Sequence, residues 1–338
     1  MIRKNVQLKD IAREVGVSIA TVSYVLNNRP MAARISEEVT ARIRETAREL
    51  NYQPNQIAKS LKTQKTHTIG LIVADIANPF SAHIARIIED DAKKKGYTVI
   101  FGSSDENLDK AWNLADTMIN RQVDGLIIAA VEHSQHQLAE IQKKGVPLVL
   151  IDRYFPLDGI SYVGIDNHHA TYEAVKLLIQ NGRKRIGLIS YQTELVHLSE
   201  RNRGYSDALR DHGIPIDASL IKTISLYQIR QDVEQGLDEL LQSTPEVDAV
   251  LFTTNLLSVN GLRHLFQKKV AVPDRLAVVA FDETEVYDFF PVTITYVRQP
   301  LQELGRTASE ILINQMDHPN EPVHVNLKTT LITGQSSG

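Results

Sequence analysis

The sequence predicts an α/β protein: a small all-helical head, a short connector, and a body of two doubly wound parallel sheets. Three observations carry that prediction. Residues 1–50 hold only helix-period apolar patterns, residues 51–67 are polar and carry a proline, and from Thr68 short Val/Ile/Leu-rich runs alternate with amphipathic stretches. The division expected is a head over 1–50, a connector over 51–67 and a body over 68–338. Within the body, one lobe takes about 68–162 with 295–325, and the other about 163–294 with the tail.

In the head, Leu8, Ile11, Ala12 and Val15 recur at helical spacing until Gly16 stops the run. Ser18 can cap the next helix, which carries Val22, Val25 and Leu26 and breaks at Asn27-Asn28-Arg29-Pro30. Ser36 can cap a third, with Val39, Ile43, Ala47 and Leu50 on one side. Gln7, ahead of the first helix, is a poorer cap than Thr, so that helix is expected to fray. In the connector, Pro54 suits the first position of a helix, and 54–62 could form two turns.

The body's strand candidates are IGLIVA (69–74), TVIFGS (98–103), GLIIAA (125–130) and LVLID (148–152), then YVGID (162–166), IGLIS (186–190), AVLFTT (249–254) and LAVVAF (276–281). None alternates strictly, which suits strands buried on both faces. Intervening helices imply right-handed parallel crossovers. So many strands fit two sheets of four or five better than one, split near 152–165, with ITYVRQP (294–300) and the tail 323–334 crossing back.

The 338 residues allow two or three domains. With no Cys, disulfides, zinc–thiolate sites and thiol nucleophiles are excluded. No run reaches the ~18 apolar residues of a membrane span, and MIRKNVQLKD lacks the apolar stretch of a signal peptide, so a cytoplasmic protein without membrane partners is expected. The net charge of −4 is uneven: residues 1–65 hold 12 basic and 6 acidic residues, a net +6, leaving −10 for the rest. A basic head on an acidic body suits a head that alone meets a polyanion. Neither GxGxxG, GxxxxGK[ST] nor GxSxG occurs. His168 and His169 are adjacent and diverge on a helix. No cofactor, metal site or catalytic residue is expected.

Two short helices joined by a Gly turn, with a third in support, form a helix-turn-helix layout whose second helix enters the major groove N-terminus first. Here that end carries Ser18, Ile19, Ala20, Thr21 and Ser23, with Tyr24 one turn on. The hydroxyls can bond phosphates or base edges, and Ile19 and Ala20 can touch thymine methyls. On this pattern alone, a hairpin that merely packs on the body remains the alternative.

In open α/β sheets ligands sit beyond the carboxyl ends of the strands. Just past the predicted strands stand Asp75, Asn78, Phe80, Asp152, Arg153, Asn255 and Asp282, and Arg201 lies in SERNRGY after IGLIS. Each alone has an ordinary explanation as a cap, core residue or surface ion pair. Together they are carboxylates, forked donors and one aromatic, a set suited to a polyhydroxylated ring. The YDFFP segment (287–291), His83 and His197 could also reach such a site, but a structural or surface role is expected for both histidines.

The stretches LKDIAREVGVSIATVSYVLN (8–27), ISEEVTARIRETARELNYQPNQIAKSL (35–61) and TIGLIVADIANPF (68–80) closely resemble the LacI/GalR family of bacterial transcription regulators. The resemblance runs on to AVVAFDETE (277–285) and VTITYVRQPLQELG (292–305). It implies a helix-turn-helix head, a hinge helix over 54–62 and a periplasmic-binding-protein-like body. It makes Ile19 and Ala20 the base-reading pair, adds Asn27 to the DNA face, and sets Asn55, Ala58, Lys59, Leu61 and Lys62 on the hinge, with Leu61 wedged between base pairs and the lysines on phosphates. Tyr24 departs from the Arg usual there, Leu256 from Asp and Arg183 from His. The resemblance also places Asn78, Phe80, Asp152, Arg153, Arg201, Asn255 and Asp282 against the effector, and makes the helix near Ile84–Lys94 a dimer face.

The function expected is therefore a non-enzymatic, homodimeric transcriptional repressor. It would bind near-palindromic double-stranded operator DNA under allosteric control by a small effector, a sugar or sugar derivative. The alternatives are control by a nucleobase or a protein co-regulator, or a solute-binding protein in place of a regulator.

Overall fold

The structure, a computed structural model, describes residues 6–28, 30–53, 65–318 and 321–338. It separates into two compact units, Met1–Thr66 and His67–Gly338. The stretch expected to form a hinge helix, with Asn55, Ala58, Lys59, Leu61 and Lys62, lies outside the described residues.

The first unit holds α1 (Leu8–Val15), α2 (Ile19–Leu26) and α3 (Glu37–Glu49), with a short 3-10 turn at Pro30–Arg34. Gln7 does precede α1, but the expected loss of capping is offset from the other side. The Asp10 carboxylate accepts from the Gln7 N–H at 2.9 Å, one half of a capping box. α1 stops at Gly16, whose φ of +76° is the left-handed value that favours glycine, and Gly16 and Val17 both donate to Ala12 O at 3.0 Å. Ser18 Oγ then accepts from Thr21 N at 3.1 Å and starts α2. No helix here could bury a core alone. Ile11, Ala12 and Val15 of α1, Val22 and Val25 of α2, and Ile43 and Ala47 of α3 form one shared cluster.

The second unit contains two six-stranded sheets. The first has the order β11-β5-β4-β3-β1-β2, from β1 (Thr68–Val73), β2 (Thr98–Ser103), β3 (Gly125–Ile128), β4 (Leu148–Ile151), β5 (Ser161–Ile165) and β11 (His324–Leu327), all paired in parallel. The second has the order β12-β10-β9-β8-β6-β7, from β6 (Ile186–Tyr191), β7 (Ile221–Ile224), β8 (Ala249–Phe252), β9 (Ala277–Phe281), β10 (Thr295–Arg298) and β12 (Thr330–Ile332). It is parallel except where β12 runs against β10. The central strands are buried along their length, as their unbroken Val/Ile/Leu runs require.

Both lobe boundaries differ from expectation. β5 pairs with β4 (Val149↔Ser161), so the stretch at 161–165 belongs wholly to the first lobe and the chain crosses after it. β10 pairs with β9 (Thr295↔Val279), so 295–298 belong to the second lobe and the return begins only after them. In each case the strand joins the sheet of the strand just before it in the chain, β4 or β9, and apolar runs do not report their partners. β7 escapes the apolar-run criterion because it is an edge strand, mostly half-exposed, with Lys222 and Thr223 inside it.

The helices of this unit are α4 (Pro79–Lys94), α5 (Leu108–Asn120), α6 (Gln135–Lys143), α7 (Asn167–Gln180), α8 (Val196–Asp211), α9 (Ile229–Leu241), α10 (Asn255–Gln267) and α11 (Leu301–Asp317). The crossing of α7 and α8 is close. At Gly204 in α8 an added Cβ would lie 2.3 Å from the carbonyl oxygen of His168 in α7, so only glycine permits this approach. Among the described residues, no helix is long and apolar enough to cross a membrane.

Candidate functional site

In the head, α2 turns Val22 and Val25 inward and leaves its leading face open. Ser18, Ile19, Ala20 and Asn27 are exposed, while Thr21, Ser23 and Tyr24 are half-exposed. Ile19 stands out as an apolar side chain 52% exposed beside the helix N-terminus. The hydroxyls of Ser18 and Thr21 lie 2.8 Å apart, and the Asn27 amide donates back to Ser23 O at 2.8 Å. The candidate base-reading residues thus line α2 and its two caps on the sides that Val22 and Val25 leave open. Asn55, Ala58, Lys59, Leu61 and Lys62 lie outside the described residues and add nothing to this geometry.

In the body, the carboxyl ends of both sheets face a cavity of about 340 Å³. All eight residues read as effector contacts border it: Asp75, Asn78, Phe80, Asp152, Arg153, Arg201, Asn255 and Asp282.

The two lobes present matching carboxylates. Asp152 follows β4, at φ +63°, and its N–H donates to Val163 O of β5 at 2.8 Å. Asp282 follows β9, at φ +69°, and its N–H donates to Val297 O of β10 at 2.9 Å. Aspartate tolerates the left-handed region better than most residues, and in each lobe the turn carries the carboxylate to the cavity wall. Both acids are held above the ordinary carboxylate range, mainly by burial; Asp152 is pushed up to about 6. The Asp282 oxygens accept from Gln299 Nε2 at 2.6 Å and from Asn255 N at 3.4 Å.

Arg201, 2% exposed, is fixed on three sides. Its Nε donates to Asn167 Oδ1 at 2.8 Å and its Nη1 to Thr253 O at 2.6 Å, while the guanidinium lies 3.6 Å from the Phe281 ring centroid. Asn167 opens α7, so the Gly204 approach brings Arg201 within reach of it. Arg153 makes a two-point ion pair from Nη1 to Glu106, at 2.7 and 2.5 Å. Burial works most strongly against the Arg153 charge, but Glu106, by charge and hydrogen bond, together with Asp152 and Tyr191 more than offsets it and raises its pKa.

The lobes also touch directly. Asn255 Nδ2 donates to Asn78 Oδ1 at 2.9 Å. Away from the cavity, Glu132 Oε1 accepts from Thr193 Oγ1 at 3.0 Å and from Glu194 N at 2.5 Å, and Leu195 beside them packs into the first lobe's core.

The sequence reading missed several residues of the wall. Glu106, Tyr191, Leu226, Tyr227 and Gln299 border the cavity, as does His197, for which a structural role is expected from sequence. Gln299 follows a recognised strand, and the rule that found Asp282 could have found it. Leu226 and Tyr227 follow the unrecognised β7. Neither His83 nor Phe289 nor Phe290 borders the cavity, and Tyr287 is core, its OH 2.8 Å from Ser258 Oγ.

A three-helix head that offers the leading end of its second helix, followed by a two-lobed body closing on a polar cleft, defines a class: DNA-binding regulators with a built-in small-molecule sensor. Comparison with known proteins names the family. Residues 7–55 match the model for bacterial regulatory proteins of the lacI family, and residues 66–332 that for periplasmic binding proteins and the sugar-binding domain of the LacI family. The chain belongs to the LacI family of bacterial transcriptional regulators. It is 32% identical to catabolite control protein A of Priestia megaterium, covering 93% of both chains. It is 31% identical to the ribose operon repressor of Escherichia coli K12, covering 92% of this chain and 93% of that one. Among solved structures it is similar to a LacI-family regulator from Enterococcus faecium with bound ribose, at 25% identity and a TM-score of 0.72, over 80% of this chain and 98% of that one. The lac repressor dimer bound to operator shares the fold at 21% identity, with a TM-score of 0.86 over 99% of both chains.

Proposed function

We propose that this regulator is a homodimeric repressor whose operator affinity is set by one uncharged monosaccharide bound between the lobes. The observation that carries the reading is the matched pair Asp152 and Asp282, facing Arg153 and Arg201 in a single cavity. Carboxylates accept from adjacent ring hydroxyls, guanidinium groups donate to ring and hydroxyl oxygens, and half-buried Phe80 offers a surface for the apolar face of the ring.

Size and charge narrow the class. A cavity of about 340 Å³ sits at the lower end of the ~300–1,000 Å³ typical of ligand sites, which suits one sugar ring. Five acids border it (Asp75, Asp105, Glu106, Asp152 and Asp282) against two arginines. That balance favours a neutral sugar over a phosphorylated one, whose charge the carboxylates would repel. A ribose operon repressor among the relatives, and a ribose complex among the similar structures, make D-ribose the first candidate.

Binding across the cleft would stabilise the arrangement that Asn78 and Asn255 already bridge. By thermodynamic linkage, sugar and operator must then change one another's affinity by the same factor. The test is calorimetric titration of the dimer with D-ribose, ribose 5-phosphate, common hexoses and purine bases, repeated with operator DNA present. Saturable binding of a neutral monosaccharide, shifted by operator, is expected. Binding of a purine or a sugar phosphate alone would overturn this reading.

A further inference from the structure

α2, the helix expected to read bases, is poor in polar readers. Between Arg13 and Arg29 the chain holds no lysine or arginine, so all 12 basic residues of 1–65 lie outside α2 and the turn before it. α2 itself, IATVSYVL, carries no charged and no amide side chain. The polar groups at its two ends are largely spent within the head. Ser18 Oγ accepts from Thr21 N at 3.1 Å and lies 2.8 Å from Thr21 Oγ1. The Asn27 amide donates to Ser23 O at 2.8 Å and to Ser23 Oγ at 3.3 Å, which uses both of its N–H groups. Asn28 Oδ1 accepts from Arg44 Nη2 at 3.3 Å. What α2 leaves free is apolar: Ile19, 52% exposed, the exposed Ala20 next to it, and the half-exposed ring of Tyr24 one turn beyond Ala20.

The major groove offers few partners to such a surface. Guanine is read by the two-pronged donors of arginine or lysine, adenine by a free asparagine or glutamine amide, and cytosine by a carboxylate. α2 presents none of these. The single Tyr24 hydroxyl can reach a purine N7, which guanine and adenine share, and so does not separate them. The one base-edge group that apolar side chains recognise is the C5 methyl of thymine. Basic residues elsewhere in the head attract phosphates, which carry no sequence information. Discrimination by α2 therefore falls to its apolar side chains.

We propose that this regulator reads its operator through thymine methyl groups: Ile19, Ala20 and the Tyr24 ring pack on the C5 methyls of thymines in each half-site, and α2 reads no guanine. The proposal rests on α2 as the helix that enters the major groove, and it is independent of which effector fills the cleft. Two plainer alternatives stand against it. In one, α2 only touches phosphates and sequence is read elsewhere; in the other, its apolar side chains dock on protein.

The experiment uses the full-length protein and a pool of DNA duplexes with about twenty randomised base pairs, enough for two half-sites one helical turn apart. Bound duplexes are sequenced, and the best is resynthesised with uracil in place of one thymine at a time, which removes the C5 methyl and nothing else. Uracil should cost about fourfold in affinity at several positions of each half-site. Ile19→Ala should bind the thymine and uracil duplexes equally at one of those positions, yet keep the wild type's loss at the others. Tyr24→Arg, which supplies a two-pronged donor, should bring guanine into the selected half-site at one position. None of the three side chains belongs to the head's core cluster, and the uracil series needs no variant at all. Uracil without effect at every position would overturn the proposal, as would a guanine preference that Ile19→Ala or Tyr24→Ala erases. If no duplex is enriched, or if Ile19→Ala and Tyr24→Ala leave affinity for the best duplex unchanged, α2 is not the reading helix and the proposal falls with that assignment. None of these outcomes bears on the sugar site.

Discussion

Asn78 Oδ1 accepts two hydrogen bonds, one from Phe80 N at 3.0 Å and one from Asn255 Nδ2 at 2.9 Å. The first caps α4, and the second joins the first lobe to the second. One atom therefore starts a helix and closes the cleft. Asn78→Asp keeps the Oδ1 acceptor of both bonds and should unfold within about 0.5 kcal/mol of the wild type. Asn78→Ala should lose about 1 kcal/mol with the cap, and about tenfold in effector affinity with the bridge. Denaturant titration and calorimetry separate the two effects. If the Ala variant lost stability but kept full affinity, the bridge would have no part in binding.

The cleft should couple effector binding to protons. Asp152 titrates near 6, raised first by burial and also by the Asp282 and Glu106 charges, against the pull of Arg153 and Arg201. Because the folded protein holds this proton more tightly than the unfolded chain, the carboxyl's contribution to stability is full below about pH 4 and is lost as pH rises through 6. Sugar hydroxyls donate to the ionised form and so lower its pKa. Affinity should therefore rise between about pH 5 and 7, with proton release on binding near pH 6. Calorimetry in two buffers of different ionisation enthalpy measures that release. Asp152→Asn should abolish it, and an unchanged slope would transfer the effect to another group.

Gly204 should matter as much as the residues that meet the ligand. Adding a Cβ there puts carbon 2.3 Å from the His168 carbonyl oxygen, so α7 and α8 must separate. That carries Arg201 away from Asn167. Gly204→Ala should cost roughly 1–3 kcal/mol of stability and weaken effector binding, although residue 204 does not border the cavity. Full affinity in a destabilised variant would show that the arginine's position tolerates the shift.

On the head, Ile19 is exposed and contributes little to the core that Val22 and Val25 share. Ile19→Ala should leave the melting temperature unchanged. It should weaken specific operator binding by about tenfold with non-specific binding preserved, both measured by fluorescence anisotropy at one fixed salt concentration. Leu61→Ala should likewise cost more on operator than on random DNA. Equal losses on both would remove these residues from base recognition.

Dimerisation has its own candidate surface. β2 is an edge strand of the first sheet and shows Phe101 at 59% exposed, with Ile100 beside it also exposed. An apolar edge of this kind invites pairing. Phe101→Glu should shift sedimentation toward monomer and lower operator affinity, while effector binding per chain persists. A variant that stayed fully dimeric would place the interface elsewhere.

Much of this molecule is written locally. Gly16 and Ser18 end one helix and begin the next through their own backbone and side chain, and unbroken runs such as GLII and LVLI suit strands buried on both sides. Strand ends also point to ligands, which is why eight residues chosen from sequence border one cavity. What the apolar runs could not tell was where the chain leaves each lobe: β5 and β10 stay in the sheets of β4 and β9, the strands just before them, because pairing is settled by register between strands and not by a run's own composition. Nor could the chain order tell that His197, four residues before Arg201 and unremarkable in sequence, would be buried beside two guanidinium groups with a ring nitrogen left unbonded. Periodicity and capping are properties of a short stretch, whereas burial and an atom's lack of a partner belong to the assembled surroundings, and those exist only once the two lobes and the close α7–α8 crossing are in place.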